Sequence, residues 1–416
     1  MESMENVASG RRGAELMVDL LADDFLNDPY RTFGVLRETQ PVFWSPQLQA
    51  WLVTRYDDVT AFLTDPRVSA SRVVPRLNQF PEHLRQEFAA LIDMFSKWPL
   101  MLDRPEHGQY RPVISRALAR PIIESFRPLV QRLVRELLEP AKKRGYIDWM
   151  SEFAEELPLN VVSEIIGVPV EGRALFKRCA IDIVTFFGTS PTQYVELATR
   201  AKDTIEEALV YLTQIVAERR LSPRKDLISG LIQAQADGIV RGESEILATC
   251  VMMAFAGFET TTNLLANGLL TMLRHPDEMS RLRSDPTLMK SAIDEMLRFE
   301  TPVQRLSRQA IDDIHVDGQT IRRGDLMFLM AASANRDPNK FREPDKFDIG
   351  RDSSGHLAFG YSIHTCPGLT LAHMEASIVF QELLETYPTI SLAVPKPQWR
   401  RNLSVRSLER LPIAFT

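Results

Sequence analysis

One stretch, Phe359-Gly360-Tyr361-Ser362-Ile363-His364-Thr365-Cys366-Pro367-Gly368, constrains the fold of this chain more than any other. It joins an extended, proline-punctuated segment to a helical pattern through Leu369, Leu371, Ala372, Met374, Ala376, Val379 and Phe380. Cys366 therefore stands where a helix starts, and the unpaired N–H groups and positive dipole end there favour a thiolate. Pro367 suits the first turn, where no donor is lost. Gly360 and Gly368 leave room for something flat and bulky to approach the backbone. A lone cysteine at a helix cap is usually buried and inert, whereas a stabilised thiolate with backbone donors aimed at it can ligate a haem iron.

A second stretch points the same way. Glu243 to Leu273 is long, apolar and glycine-bearing, the pattern of a helix buried through a large domain. Inside it lies Ala256-Gly257-Phe258-Glu259-Thr260-Thr261-Thr262. Thr260 can bond back to the carbonyl of Ala256, and the small pair Ala256-Gly257 leaves a groove where a diatomic ligand could lie. Glu259 is costly to bury dry, so water or a partner must reach it. An acid beside an alcohol with water access is a proton-delivery device; a solvated polar stripe is the plainer alternative.

Composition narrows the classes. The 416 residues allow a large core and show no linker-like break, so one domain over 1–416 is expected, with 1–27 poorly ordered or loosely packed. A net charge of −6 argues against general nucleic-acid binding. The three cysteines, Cys179, Cys250 and Cys366, are too scattered for a disulfide framework or a CxxC metal site, which fits a reducing cytoplasm. Met1 to Leu21 has no apolar run able to span a bilayer, so no membrane attachment is expected.

The cysteine stretch resembles the haem-binding loop of the cytochrome P450 monooxygenases, Phe-Gly-x-Gly-x-His-x-Cys-x-Gly, with Ser362 where the family usually has glycine. Ala256-Gly257-Phe258-Glu259-Thr260 is similar to the family's Ala-Gly-x-[Asp/Glu]-Thr, and Glu295-Met296-Leu297-Arg298 to its Glu-x-x-Arg. The resemblance runs from about Asp28 to Pro412 and is to the soluble bacterial type. It implies a mainly α fold, a large helical domain with a minor β-rich region. Haem b would lie between the central helix and the cysteine loop, with O2 as co-substrate. Cys366 would be the axial iron ligand, and Phe359, Gly368 and Ala256 would border the haem. Thr260 would steady the activated oxygen and Glu259 relay protons for O–O cleavage.

The propionates would fall to His107, Arg111, Arg308 and His364. His107 and Arg111 stand four apart on one helix face; Asp103 and Glu106 read as a capping box for that helix, and Pro112 is expected to kink it or displace Arg111. The family's third partner for Glu295 and Arg298 falls at Lys346, which cannot make a planar bidentate contact, so an incomplete triad is expected.

Substrate contacts are expected from Met94, Phe95, Trp98 and Leu100 in the proline-broken connection, and from Ile183, Phe186 and Phe187 in a roof that opens as a lid. Met252, Met253, Val303, Leu306 and, in the last turn, Leu403 complete the set. The resemblance implies a monomer that oxygenates an apolar small molecule by hydroxylation or epoxidation. Electrons would come from a ferredoxin or flavodoxin and its NAD(P)H-dependent reductase, docking near Arg116, Arg120 and His373. A peroxide-driven peroxygenase, a non-catalytic haem ligand-binding protein and a colourless enzyme with Cys366 as nucleophile are the alternatives.

Overall fold

A helix that is apolar on nearly every side has to be enclosed. In the computed structural model, which describes residues 18–415 except 21, 189 and 190, Glu243–Arg274 is that helix. Helices Glu156–Ile166, Arg173–Phe187, Tyr194–Leu221, Met289–Phe299 and Leu369–Thr386 pack around it. Its middle is buried except at Phe255, Ala256, Gly257 and Thr260, so one patch of an otherwise dry helix borders open space.

The β-rich part builds the other wall. Its five-stranded sheet runs in the order Val42–Ser45, Ala50–Val53, Leu326–Leu329, Leu306–Ala310, Val68–Ser69. Alternation from Ile314 to Asp325 with a turn signal at Asp317-Gly318 predicts a hairpin, and one forms, pairing Ile314–Val316 with Gln319–Ile321. Both turn residues have positive φ (48° and 71°), which a two-residue turn needs to match strand twist.

Several local expectations are corrected. Helix Glu106–Ala117 starts without a capping box: the Asp103 carboxylate instead accepts from Ala70 N at 2.9 Å and from Ser69 Oγ. The helix runs unbroken through Pro112. The pattern from Pro121 to Arg144 splits into Arg120–Ser125 and Arg127–Arg144 around Phe126 and Pro128, and that from Glu152 to Ile166 begins with a π-turn, Met150–Ala154. The N-terminal segment is not loosely packed where it is described, because Leu20 and Phe25 are buried against Phe33, Leu36 and Leu52. Expectations for 1–17, and for residues 189 and 190 of the break after the roof helix, lie outside the described residues.

The brace between the helices and the cysteine loop is an ion pair with no access to water. Arg298 Nε and Nη2 donate to the two Glu295 oxygens at 2.7 and 2.8 Å, both side chains being 0% exposed. The third partner is not missing but displaced along the chain: Arg351 Nε reaches Glu295 Oε1 at 3.2 Å, and Lys346 supplies only its backbone carbonyl. Ser353 Oγ adds a bond to Glu295 at 2.6 Å, while Arg298 Nη1 donates to the carbonyls of Asn335 and Pro344. Asn335 Oδ1 in turn accepts from Leu357 N at 2.7 Å, two residues ahead of Phe359.

Removing one member of a buried pair leaves the other charge stranded. Arg298→Ala is expected to lose about 3–5 kcal/mol in denaturant unfolding. A second expectation concerns Glu375 on helix Leu369–Thr386, whose Oε2 has no hydrogen-bond partner and whose carboxyl burial pushes up to about 8. An unfolded chain loses that proton at an ordinary carboxyl pKa, so stability falls as pH rises from there to about 8. Glu375→Gln should flatten this part of the stability–pH curve, measured by melting temperature between pH 5 and pH 8.

Candidate haem and oxygen site

Between the central helix and the cysteine loop lies a cavity bordered by Cys366, Pro367, Gly368, Phe359, Ala256, Gly257, Glu259 and Thr260. The two stretches singled out in the sequence thus face the same space. Cys366 N donates to Phe359 O at 2.7 Å, folding the loop back on itself. Gly360 turns at φ 73°, where an added Cβ would meet His364 O at 3.1 Å. Ser362, the departure from the family pattern, also has positive φ, 58°. The chain therefore keeps the conformation that glycine would favour and carries the cost in a serine.

The expectation of a self-stabilised thiolate needs amending. Burial pushes the Cys366 thiol up, and this outweighs the Gly368 and Leu369 N–H groups and the nearby Arg111 guanidinium. The helix begins at Leu369, so its end alone does not hold a naked anion. A metal cation reverses the balance by deprotonating a coordinating thiol. The single sulfur and the cavity beside it, lined by Phe359, Gly368 and Ala256, fit haem iron.

The rim carries the matching charge. His107, Arg111, Arg308 and His364 all border the cavity, as expected, and Arg72 joins them. The His107 and His364 rings are 4.5 Å apart. Burial, with Arg308 and His107 next in effect, pushes His364 down to about 3; burial takes Arg308 to about 10 and, with Arg308 beside it, Arg72 to about 9. The depressed values record burial first and, at His364 and Arg72, neighbouring positive charge; Asp103 offsets part of the shift at Arg72 and Arg308. Two propionates are the anions such a rim would take. Arg111 remains in place despite Pro112 and donates to Thr365 O. Arg72 was missed because nothing local distinguishes one arginine in a proline-broken stretch.

On the opposite wall Thr260 Oγ1 donates to Ala256 O at 2.8 Å, the back-bond the sequence implied. Glu259 is buried, and its Oε1 accepts from Asn263 Nδ2 at 3.2 Å. Burial raises its pKa; Arg400 and the Asn263 bond pull the other way. Gly257 has a second task, since a Cβ there would come within 2.8 Å of Val162 Cγ2.

Of the expected substrate contacts, Phe186, Phe187, Met252, Met253, Val303 and Leu306 border the cavity. Met94, Phe95, Trp98, Ile183 and Leu403 do not. Phe95 and Trp98 form a second layer behind the lining rings: Phe95 stacks on Phe186 at 6.1 Å, and Trp98 on Phe255 at 5.7 Å. Met94 and Ile183 are core residues. Val184 and Phe187, three apart, turn to the cavity, and Ile183 sits about 100° round that helix from Val184. Leu403 packs with Phe33 and Phe328, leaving Ser404 and Val405 to meet the cavity. Leu100, expected with Met94, Phe95 and Trp98, does line it, and Tyr194 and Phe255 line it unforeseen.

A half-buried cysteine, a cationic rim and an acid–alcohol pair on a facing helix, all bordering one cavity, form a site that fits a haem-thiolate oxygenase. The cytochrome P450 family model matches residues 173–405. The chain is 35% identical to the polyketide biosynthesis cytochrome P450 PksS of Bacillus subtilis, over 97% of this chain and 99% of that one. It is 32% identical to the 6-deoxyerythronolide B hydroxylase of Saccharopolyspora erythraea, over 95% and 98%. The crystal structure of P450BioI with a hexadec-9Z-enoic acid ligated acyl carrier protein superposes with a TM-score of 0.86 at 33% identity, covering 95% of this chain and 99% of that one. This chain belongs to the cytochrome P450 family. It is a haem-thiolate monooxygenase that uses haem b and O2, takes a small-molecule substrate and draws electrons from redox partners. No helix among the described residues is long and apolar enough to cross a membrane.

Ser362→Gly tests the loop geometry. Relief of the left-handed serine should stabilise the protein by a few tenths to about 1 kcal/mol in denaturant unfolding, with the haem absorption band unchanged.

Proposed function

We propose that Cys366 is the axial ligand and that His107, Arg111, Arg308 and His364 hold the propionates, with Phe359, Gly368 and Ala256 shaping the bed. Thr260 and Glu259 are the catalytic pair. The observation that carries this reading is the meeting of Cys366, Thr260 and Glu259 at one cavity. When bound, haem supplies reductive activation of O2 and transfer of one oxygen atom to a C–H or C=C bond. The protein's part is positioning and proton supply. Because Asn263 occupies Glu259 Oε1, the proton resides on Oε2 and is passed toward the groove that Thr260 borders. Burial keeps that carboxyl protonated above the ordinary range, ready to give a proton and be refilled.

The pocket lining of Phe186, Phe187, Phe255, Met252, Met253, Val303 and Leu306 suits an apolar, mid-sized substrate. Relatives that include a polyketide biosynthesis cytochrome P450 and a 6-deoxyerythronolide B hydroxylase, with a structure solved bound to a hexadec-9Z-enoic acid ligated acyl carrier protein, favour a polyketide or fatty-acid derivative in secondary metabolism. The protein works as a single-domain monomer in the cytoplasm, where its three free cysteines stay reduced. It receives electrons from a ferredoxin or flavodoxin with its NAD(P)H-dependent reductase. Arg116 and Arg120 are exposed and available to an acidic donor. His373 is not, being held 3.1 Å from Asp294.

Thr260→Ala, supplied with a ferredoxin and its reductase, should consume NAD(P)H while yielding several-fold less product. Glu259→Gln should slow product formation on the order of a hundredfold. Full turnover on peroxide alone, indifferent to both substitutions, would show a peroxygenase instead.

A further inference from the structure

The cavity is apolar in most of its lining but holds five arginines, Arg72, Arg76, Arg111, Arg305 and Arg308, against one acid, Glu259. Burial raises the pKa of Glu259, which disfavours its negative charge. Arg72, Arg111 and Arg308 belong to the rim already described. Arg76 and Arg305 do not. They are tied to the aromatic roof: Arg305 Nη2 donates to Phe187 O at 2.9 Å, Phe186 packs on Tyr194 at 4.8 Å, and the Arg76 guanidinium lies 4.1 Å over the Tyr194 ring.

Each of the two is oriented but not neutralised. Arg305 lies 3.6 Å over the face of Phe328, its Nε donates to Ser404 Oγ at 3.1 Å, and its buried Nη1 has no hydrogen-bond partner. Arg76 has no ion pair or hydrogen bond among the described residues, only the ring of Tyr194 beneath it. A guanidinium stacked on a ring by its face keeps its N–H donors in its own plane, free for a second partner. Burial lowers both arginines, Arg305 to about 9, with repulsion from Arg76 and Arg72 adding to the burial of Arg305. Arg305 is still charged at neutral pH. Unpaired charge in an apolar chamber is costly, and the cost is relieved when an anion enters.

We propose that the substrate is an apolar molecule bearing a carboxylate, and that Arg305 and Arg76 hold this carboxylate under the roof while the apolar body extends along Phe187, Phe255 and Val405. The inference deepens the substrate reading given above and rests on it. Arg305 is the main anchor, because its guanidinium borders the cavity, is held in place by the bonds of Nε and Nη2, and has no carboxylate paired with it among the described residues. Arg76 adds charge from the side of Tyr194. The pair would select acids over esters, alcohols and lactones of the same skeleton.

The test is spectral titration of the haem-loaded protein with straight-chain fatty acids and their methyl esters. The acids are expected to bind at least about tenfold tighter than the matched esters, as a charge-assisted contact should give. In Arg305→Leu the preference should shrink to within about twofold with ester affinity unchanged, a pattern that a distorted roof would not produce. Arg76→Leu, which breaks no hydrogen bond in the structure, should lower acid affinity several-fold and leave esters alone. Equal binding of acids and esters by the wild type, or a preference that survives both substitutions, overturns the anchor and leaves the apolar-substrate reading standing. If neither series shifts the haem band while imidazole does, both readings fall.

Discussion

The sulfur of Cys366, half-buried at the wall of the cavity, sets the terms for the rest of this molecule. Without a counter-charge, burial raises the Cys366 thiol beyond what two backbone N–H groups and Arg111 can offset. The loop is therefore built to present that sulfur to a cation in one geometry. The Phe359–Cys366 backbone bond, the positive φ of Gly360 and Ser362, and the Arg111 contact to Thr365 all fix the same few residues. None of this would hold if the segment leading into the loop could move. The Glu295–Arg298–Arg351 cluster prevents that by tying one helix to carbonyls of Asn335, Pro344, Glu343 and Lys346. A buried ion pair adds little net stability over apolar packing, but its geometric demands suit it to locking a long irregular segment.

Charge is distributed around the cavity by function. Cations collect at the rim with Arg72, Arg111 and Arg308, beside the His107 and His364 rings, and again at the roof with Arg305 and Arg76. The lone acid of the lining stands on the central helix, apart from both, where burial raises its pKa. In a dry chamber each of these groups acts more strongly than in water, so separating them matters. A carboxylate beside the rim would compete with the propionates. A cation at Glu259 would pull its proton away.

What was legible in the sequence is what depends on neighbours along the chain. The thiol loop, the Thr260 back-bond, the hairpin at Asp317-Gly318, and the lengths of the roof and central helices are set by residues within a few positions of one another. Facing direction was less so. Phe95 and Trp98 are as apolar and as buried as the text suggested, yet they support the lining and do not form it. Periodicity says that a side chain points inward, not whether the next thing inward is a ring or a void. Leu403 shows the same limit at a turn, where the side that meets the cavity was set by tertiary packing. Arg351 replaced Lys346 as the third member of the brace because the irregular segment between them brings the later side chain to Glu295, a path that no local pattern encodes. Asp103 had a capping sequence but a better offer from Ala70 and Ser69 across the fold.

The roof illustrates how these parts are coupled. The last carbonyls of helix Arg173–Phe187 need donors from outside the helix. They find them in three side chains from elsewhere: Asn402 Nδ2 to Val184 O at 3.0 Å, Ser404 Oγ to Phe187 O at 2.7 Å and Arg305 to the same oxygen. Gly188 permits this closeness, since any Cβ there would overlap Asn402. Consequently the helix end cannot lift without either breaking these bonds or carrying the 402–405 turn with it. A lid built this way is latched to the segments that contribute Val405 and Arg305 to the cavity, so opening it and reshaping the substrate chamber are one motion rather than two.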